Sequence, residues 1–239
     1  MGRAFEFRKE RKMKRWAGMA KTFTKIGREI AIAVKEGGPN PEYNPRLRTA
    51  IQNAKSANMP KANVEKAIKR ASSKDAESYD EMLYEGYAPH GIAVIVETTT
   101  NNPTRTVANV RHVFSKYGGS LGTSGSVDYM FSRKAIFTVN LPEDQDLEEL
   151  ELELIDFGLE EIKKDGDDMQ IVATFEDFGK MQKALDEQNI EVVRTEFERI
   201  PSMYKTLTDD QVEEVIKLID KMEDEDDVAA VFHNMNMDE

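Results

Sequence analysis

The spacing of apolar residues changes once along this chain, and that change constrains the fold more than any other feature. Up to Ala71 the spacing is helical: Phe23, Ile26, Ile30, Ala33 and Val34 form one stripe, Leu47, Ile51 and Ala54 a second, and Val64, Ala67, Ile68 and Ala71 a third. After Tyr79, compact apolar runs and alternating segments take over, which are strand patterns. The polar run Ser72 to Ser78 lies between them and reads as a linker. Charge divides at the same border. The first 70 residues hold 18 Lys and Arg against 6 Asp and Glu; of 33 and 45 in the whole chain, this leaves 15 against 39 for the rest. A basic head thus precedes an acidic body, and the net charge of -12 conceals both. Such a layout lets the head attract polyanions while the body suppresses indiscriminate adhesion. The alternative is a basic surface that only docks on the acidic body.

Local signals place the helices of the head. Arg8 to Arg15 reads RKERKMKR, and the helix that follows over Lys21 to Glu36 is stopped by Gly37-Gly38. Asn44-Pro45 is a cap followed by proline at the first helical position, and Pro60 opens another helix. Most of the head's cations fall off the apolar stripes and are expected to face outward. A small helical bundle over 1–75 is therefore expected.

In the body, Ile92 to Val96 reads as a buried strand and Asn102-Pro103 as the start of a helix that Gly118-Gly119 stops. Val127, Tyr129 and Phe131 alternate as a strand. Next come a strand at Ala135 to Val139, a helix with Leu147, Leu150 and Leu154, strands at Leu159 to Lys163 and Met169 to Phe175, a helix with Phe178, Met181 and Leu185, and a strand at Glu191 to Phe197. That β-α-β-β-α-β order is the ferredoxin-like one. The tail adds a short strand around Ser202 to Lys205, a helix opened by the capping box Thr208 to Gln211, and a strand Val228 to His233. The expected class is α+β and multidomain: a helical bundle over 1–75, then two ferredoxin-like α/β domains. The second, over 133–199, is inserted into the first, which is discontinuous over 79–132 and 200–239. Consecutive halves, with the tail packed elsewhere, are the competing arrangement.

Several chemistries are excluded or unsupported. Zero cysteines remove disulfides, thiolate metal sites and a Cys nucleophile. His90, His112 and His233 are scattered, with no HExxH or EF-hand loop, so no metal and no cofactor are expected. The loop GGSLGTSGS at Gly118 to Ser126 lacks the lysine of a P-loop and the GxGxxG spacing, and Ser124 is not in GxSxG. Its reading lies between a helix cap with a turn and a backbone-phosphate loop formed by Gly119, Gly122, Thr123, Ser124 and Gly125. The acidic runs Glu143 to Asp156 and Glu223 to Asp227 read as solvated faces. No catalytic constellation emerges, and a non-enzymatic protein is expected. The absence of a long apolar stretch and of a signal-peptide core points to a cytoplasmic protein without membrane contact.

Five segments then carry a resemblance: KTFTKIGREI at Lys21, NPRLR at Asn44, AKSANMPKANVEKAIKR at Ala54, YEGYAPHGIAVIVE at Tyr84 and RTVANVRHVFSKYGGSLGTSGSV at Arg105. Together with the late DDV at Asp226 to Val228, they resemble the YebC/PmpR family from Lys21 to the C-terminus. The first twenty residues depart from the family's usual AGHSKWANIKHRK-like start. The resemblance implies a non-enzymatic, cytoplasmic, nucleic-acid-binding regulator of gene expression with a helical head and two α/β domains. It leaves two targets open: DNA, for a transcriptional regulator, or ribosomal and messenger RNA at the ribosome. The latter applies to the related mitochondrial translational activator of a cytochrome c oxidase subunit. Candidate nucleic-acid contacts are Arg8, Lys9, Arg11, Lys12, Lys14, Arg15, Lys21, Lys25, Arg28, Arg46, Arg48, Lys55, Lys61, Lys66, Lys69 and Arg70. Phe5, Phe7, Trp16 and Phe23 are interleaved with them. No coiled coil or apolar strip calls for self-association, so a monomer is expected.

Overall fold

The computed structural model describes residues 19–142, 145–165 and 168–237. Among these are seven α-helices and two four-stranded sheets. The described residues divide into two compact units. One takes the stretch up to Arg28, Asp75–Ser132 and the stretch from Ile200; the other takes Glu29–Lys74 and Arg133–Arg199. The helical segment expected over 1–75 is therefore shared between the two units.

The first unit is built on a hairpin. Strand β1 (Asp80–Ala88) pairs antiparallel with β2 (Ile92–Thr100) in register from Asp80 opposite Thr100 to Ala88 opposite Ile92. Helix α4 (Pro103–Lys116) leads to the two-residue strand β3 (Ser120–Leu121), and helix α7 (Asp209–Glu223) leads to β8 (Val228–His233). The sheet order is β3-β1-β2-β8. Ile92 through Val96 are fully buried because β2 is covered on both faces. Val94 and Val96 meet Val110 and Phe114 of α4 and Val215 and Ile219 of α7, while Ala93 and Ile95 meet Val127. That double burial is why the segment reads as an unbroken apolar run. Gly86 lets β3 approach, since a Cβ there would lie 2.5 Å from the Ser120 carbonyl oxygen.

Three sequence expectations change in this unit. Residues 128–130 form a single 3₁₀ turn rather than a strand, because the amides of Val127 and Asp128 donate to the Glu85 carboxylate (both 2.8 Å) and cannot enter a ladder. Strand β1 went unread, because the outer half of DEMLYEGYA is exposed and shows no clean alternation. The described order in this unit is thus β-β-α-β, then α-β, which corrects the ferredoxin-like order expected of it: the β1–β2 hairpin sets two central strands ahead of the first helix. The tail strand expected at Ser202 to Lys205 reduces to one parallel bridge between Lys205 and Met235.

The second unit holds β4 (Phe131–Asn140), α5 (Leu147–Leu154), β5 (Leu159–Asp165), β6 (Asp168–Thr174), α6 (Phe178–Glu187) and β7 (Glu191–Pro201). The sheet order is β5-β6-β4-β7. Phe137 and Ile171 of the sheet pack on Leu150 and Leu154 of α5 and on Met181 and Leu185 of α6. The Phe178 ring stacks on Phe137 at 5.8 Å between centroids and meets Phe197 edge-on at 5.1 Å.

Helix α1 (Met19–Gly37) spans the border of the units, and α2 (Pro45–Ser56) and α3 (Lys61–Ala71) belong to the second. Asn44 joins two of these helices. Its Oδ1 caps α2 at Leu47 N (3.0 Å), while its Nδ2 donates to the carbonyls of Ala33 (2.7 Å) and Gly38 (2.8 Å) at the end of α1. Gly38 turns the chain there at φ +83, a left-handed value that glycine adopts freely. Asn53 of α2 exchanges two bonds with the Thr195 backbone of edge strand β7, at 2.8 and 3.0 Å.

Candidate nucleic-acid interface

Helices α2 and α3 carry seven Lys and Arg against one acid, Glu65. Their stripes of Leu47, Ala50, Ala54 and Val64 are buried, and this turns the long cationic side chains outward. Lys55, Lys66, Lys69 and Arg70 are exposed, and their charged ends meet no partner among the described residues. Residues 66, 69 and 70 lie one helical turn apart on a single face of α3. Lys61 stands 3.9 Å from Glu65 with its side chain 91% exposed, a pair that water screens almost completely. Arg46 pairs with Glu36 at 2.9 Å. Arg48 is half-buried, its Nε without a hydrogen-bond partner. The open cations thus form a subset centred on α3 and the end of α2.

Lys21, Lys25 and Arg28 belong to a different setting. In the first unit they face the acidic turn between α7 and β8. Lys21 Nζ donates to the Asp224 carbonyl (2.7 Å) and Lys25 Nζ to that of Ala229 (3.3 Å). Arg28 Nη1 donates to the carbonyls of Thr99 and Asp226, both at 2.8 Å, and ion-pairs with Asp227 Oδ1 at 3.1 Å. For these three the contacts seen are those of the docking alternative. Arg28 and Asp227 are shielded from water, whereas the Lys21 pair with Asp224 is half exposed and screened.

Asp227 is the hub of that contact. Its Oδ2 accepts from Arg105 Nη2 (2.8 Å), Thr106 Oγ1 (2.8 Å) and Thr100 Oγ1 (3.1 Å). Burial pushes its carboxyl pKa up, but the Arg105 hydrogen bond, the Thr106 bond, the Arg105 charge and the Thr100 bond together hold it below the ordinary value. Arg105 is in turn raised by its bond to Asp227. This cluster was missed in the sequence, although the cap Asn102-Pro103 and the DDV run flank its members.

The loop after α4 is also committed internally. Gly119 N donates to Phe114 O (2.8 Å) and Gly122 N to Glu85 O (2.8 Å), while Gly125 N donates to Glu85 Oε1 (2.6 Å). Glu85 is 3% exposed, and its carboxylate accepts from the amides of Gly125, Val127 and Asp128. The amides of Gly119, Gly122 and Gly125 are thus used within the unit, as in the reading of a helix cap with a turn; Thr123 and Ser124 remain exposed at the loop's tip. Arg8, Lys9, Arg11, Lys12, Lys14 and Arg15 lie outside the described residues. Among the described residues no group of three His, Asp or Glu is placed to hold a metal, and no helix is long and apolar enough to cross a membrane.

Comparisons with known proteins agree over nearly the whole chain. The family described as TACO1/YebC protein N-terminal domain matches residues 3–74, and TACO1/YebC second and third domain matches 79–235. A protein of Parabacteroides distasonis named "Probable transcriptional regulatory protein" is 56% identical over 239 residues, covering 100% of this chain and 98% of its own. One of the same name from Flavobacterium johnsoniae is 57% identical over 235 residues, covering 98% and 99%. The crystal structure of a conserved hypothetical protein from Aquifex aeolicus is similar with a TM-score of 0.77 at 40% identity, over 91% of this chain and 90% of that one. With both family matches in order and relatives above half identity at full length, the chain belongs to the TACO1/YebC family.

Proposed function

We propose that this chain is a non-enzymatic regulator of gene expression that binds nucleic acid through the exposed face of α2 and α3, acting on DNA as a transcriptional regulator. The observation that carries the reading is the set Lys55, Lys66, Lys69 and Arg70, four exposed and uncompensated cations on a protein of net charge -12. The acidic body repels a polyanion as a whole, so attraction is confined to a local cationic patch of this kind. The names of the relatives support a regulatory role. Within this reading the second sheet is the core of a ferredoxin-like domain over 133–199, inserted between 79–132 and 200–239. The protein works in the cytoplasm as a monomer.

Four phosphate contacts give a slope of log K against log salt of about -3.6 on duplex DNA, which is about a 150-fold loss of affinity between 50 and 200 mM salt. The test is fluorescence anisotropy on duplex DNA and on single-stranded and ribosomal RNA, comparing wild type with the variant carrying Lys55→Gln, Lys66→Gln, Lys69→Gln and Arg70→Gln. Lost affinity and a flattened slope on DNA support the proposal. An unchanged slope refutes the site. Binding confined to RNA, and lost in the variant, keeps the site and moves the function to translation at the ribosome.

A further inference from the structure

We infer that the outer face of α5 is a docking surface for a basic amphipathic segment of a partner protein. Helix α5 reads LEELELEL and buries Leu150 and Leu154 in the core of the second unit. On a helix that turns about 100° per residue, Leu152 stands opposite that buried pair. It is 74% exposed, and Ile155, three residues on, is 61% exposed. These two aliphatic side chains are therefore not an overflow of the core; they form a separate apolar spot at the solvent pole of the helix.

The charge around that spot specifies its occupant. From Leu141 to Ile162 the sequence holds ten acids and no Lys or Arg. Glu148, Glu149, Glu151 and Glu153 are all exposed and have no ionic partner among the described residues. Glu149 and Glu153 repel each other at i, i+4, and the helix has no basic residue in its last turn to complement its dipole. Local rules are broken in this way where a surface serves something other than its own fold. Nucleic acid and anionic lipid are both repelled by the acidic ring. A helix bearing Lys or Arg around one or two aliphatic residues satisfies both features, covering Leu152 and Ile155 while its cations neutralise the flanking glutamates.

The test uses the full chain and two labelled peptides: an amphipathic helix of Lys and Leu, and the same peptide with every Leu changed to Ser. Anisotropy is measured for wild type, for Leu152→Ser with Ile155→Ser, and for Glu148→Gln with Glu151→Gln. Both sites are exposed, so unchanged thermal unfolding confirms that the variants fold. The expected result is that only the Leu-bearing peptide binds well. The Ser pair should bind it about tenfold more weakly with every charge retained, and the Gln pair should show a weaker dependence on salt. Equal binding of both peptides, or full binding by the Leu152→Ser/Ile155→Ser variant, overturns the proposal, since the acidic surface alone would then account for it. Concentration-dependent self-association of wild type that disappears in the Ser pair also overturns it, by assigning the face to a second copy.

Discussion

Replacing Asp227 by alanine tests whether the clasp between α1 and the α7–β8 turn contributes to stability. The carboxylate is buried and loses four neighbours at once: Arg105, Thr106, Thr100 and Arg28. These losses are unequal. Arg105 is 49% exposed, so water replaces most of its bond. Arg28 keeps its bonds to the Thr99 and Asp226 carbonyls. Thr106 can turn its proton to the Asn102 carbonyl at 3.1 Å. Thr100 Oγ1, which already accepts from Asn102 N, can then donate to Thr106 Oγ1 at 2.8 Å, so both hydroxyls keep a partner. The main loss is at Arg28, whose shielded charge is left without its carboxylate, and it comes to about 3 kcal/mol, the low end for breaking a buried charge pair. That is about 6–12 °C in Tm for a cooperative unit of this size. Calorimetry and urea unfolding of Asp227→Ala measure it directly. A loss below about 0.5 kcal/mol would refute the reasoning. The pH dependence has a definite sign. Because the folded carboxyl lies below its ordinary value, the unfolded chain binds more protons in the interval between the two. The stabilisation is therefore complete above the unfolded value of about 3.9 and is lost as pH falls through the folded one. Asp227→Asn should flatten the acid limb of the stability profile.

Two further substitutions probe how side chains organise the backbone. Glu85→Gln keeps one acceptor but turns an NH₂ group toward amides that now bond a carboxylate. It should cost about 2 kcal/mol in urea unfolding and speed hydrogen exchange at Gly125, Val127 and Asp128. Unchanged exchange there would mean that the loop does not depend on this carboxylate. Asn44→Ala removes a cap and two carbonyl bonds together, and a loss of about 2 kcal/mol is expected by the same assay. A loss no larger than that of an ordinary exposed cap, about 0.5–1 kcal/mol, would show that water replaces the Ala33 and Gly38 contacts.

Helix boundaries were legible from the sequence alone because their signals are local. Asn44-Pro45, Asn102-Pro103 and Thr208 with Gln211 start helices where the structure has them, and Asn44 and Asn102 each accept the backbone bond expected of a cap. The β-α-β-β-α-β order of β4 to β7 was legible too, since β4 and β6 hold compact apolar runs and the two helices carry apolar stripes of their own. The family resemblance was carried by contiguous segments and needed no contacts. Strand β1 and the turn at 128–130 were not legible, because they depend on a hairpin partner and on one buried glutamate more than forty positions upstream of the turn. The identity of the open cations was equally hidden. Lysines 21 and 25 look no different in sequence from lysines 66 and 69, yet the first pair meets backbone carbonyls 203 and 204 residues away while the second meets none. Periodicity and caps are energies between neighbours in the chain, so the sequence determined the helices and their apolar faces. Neutralisation of charge is an energy between neighbours in space, and only the tertiary structure decided which of the positive charges remained available.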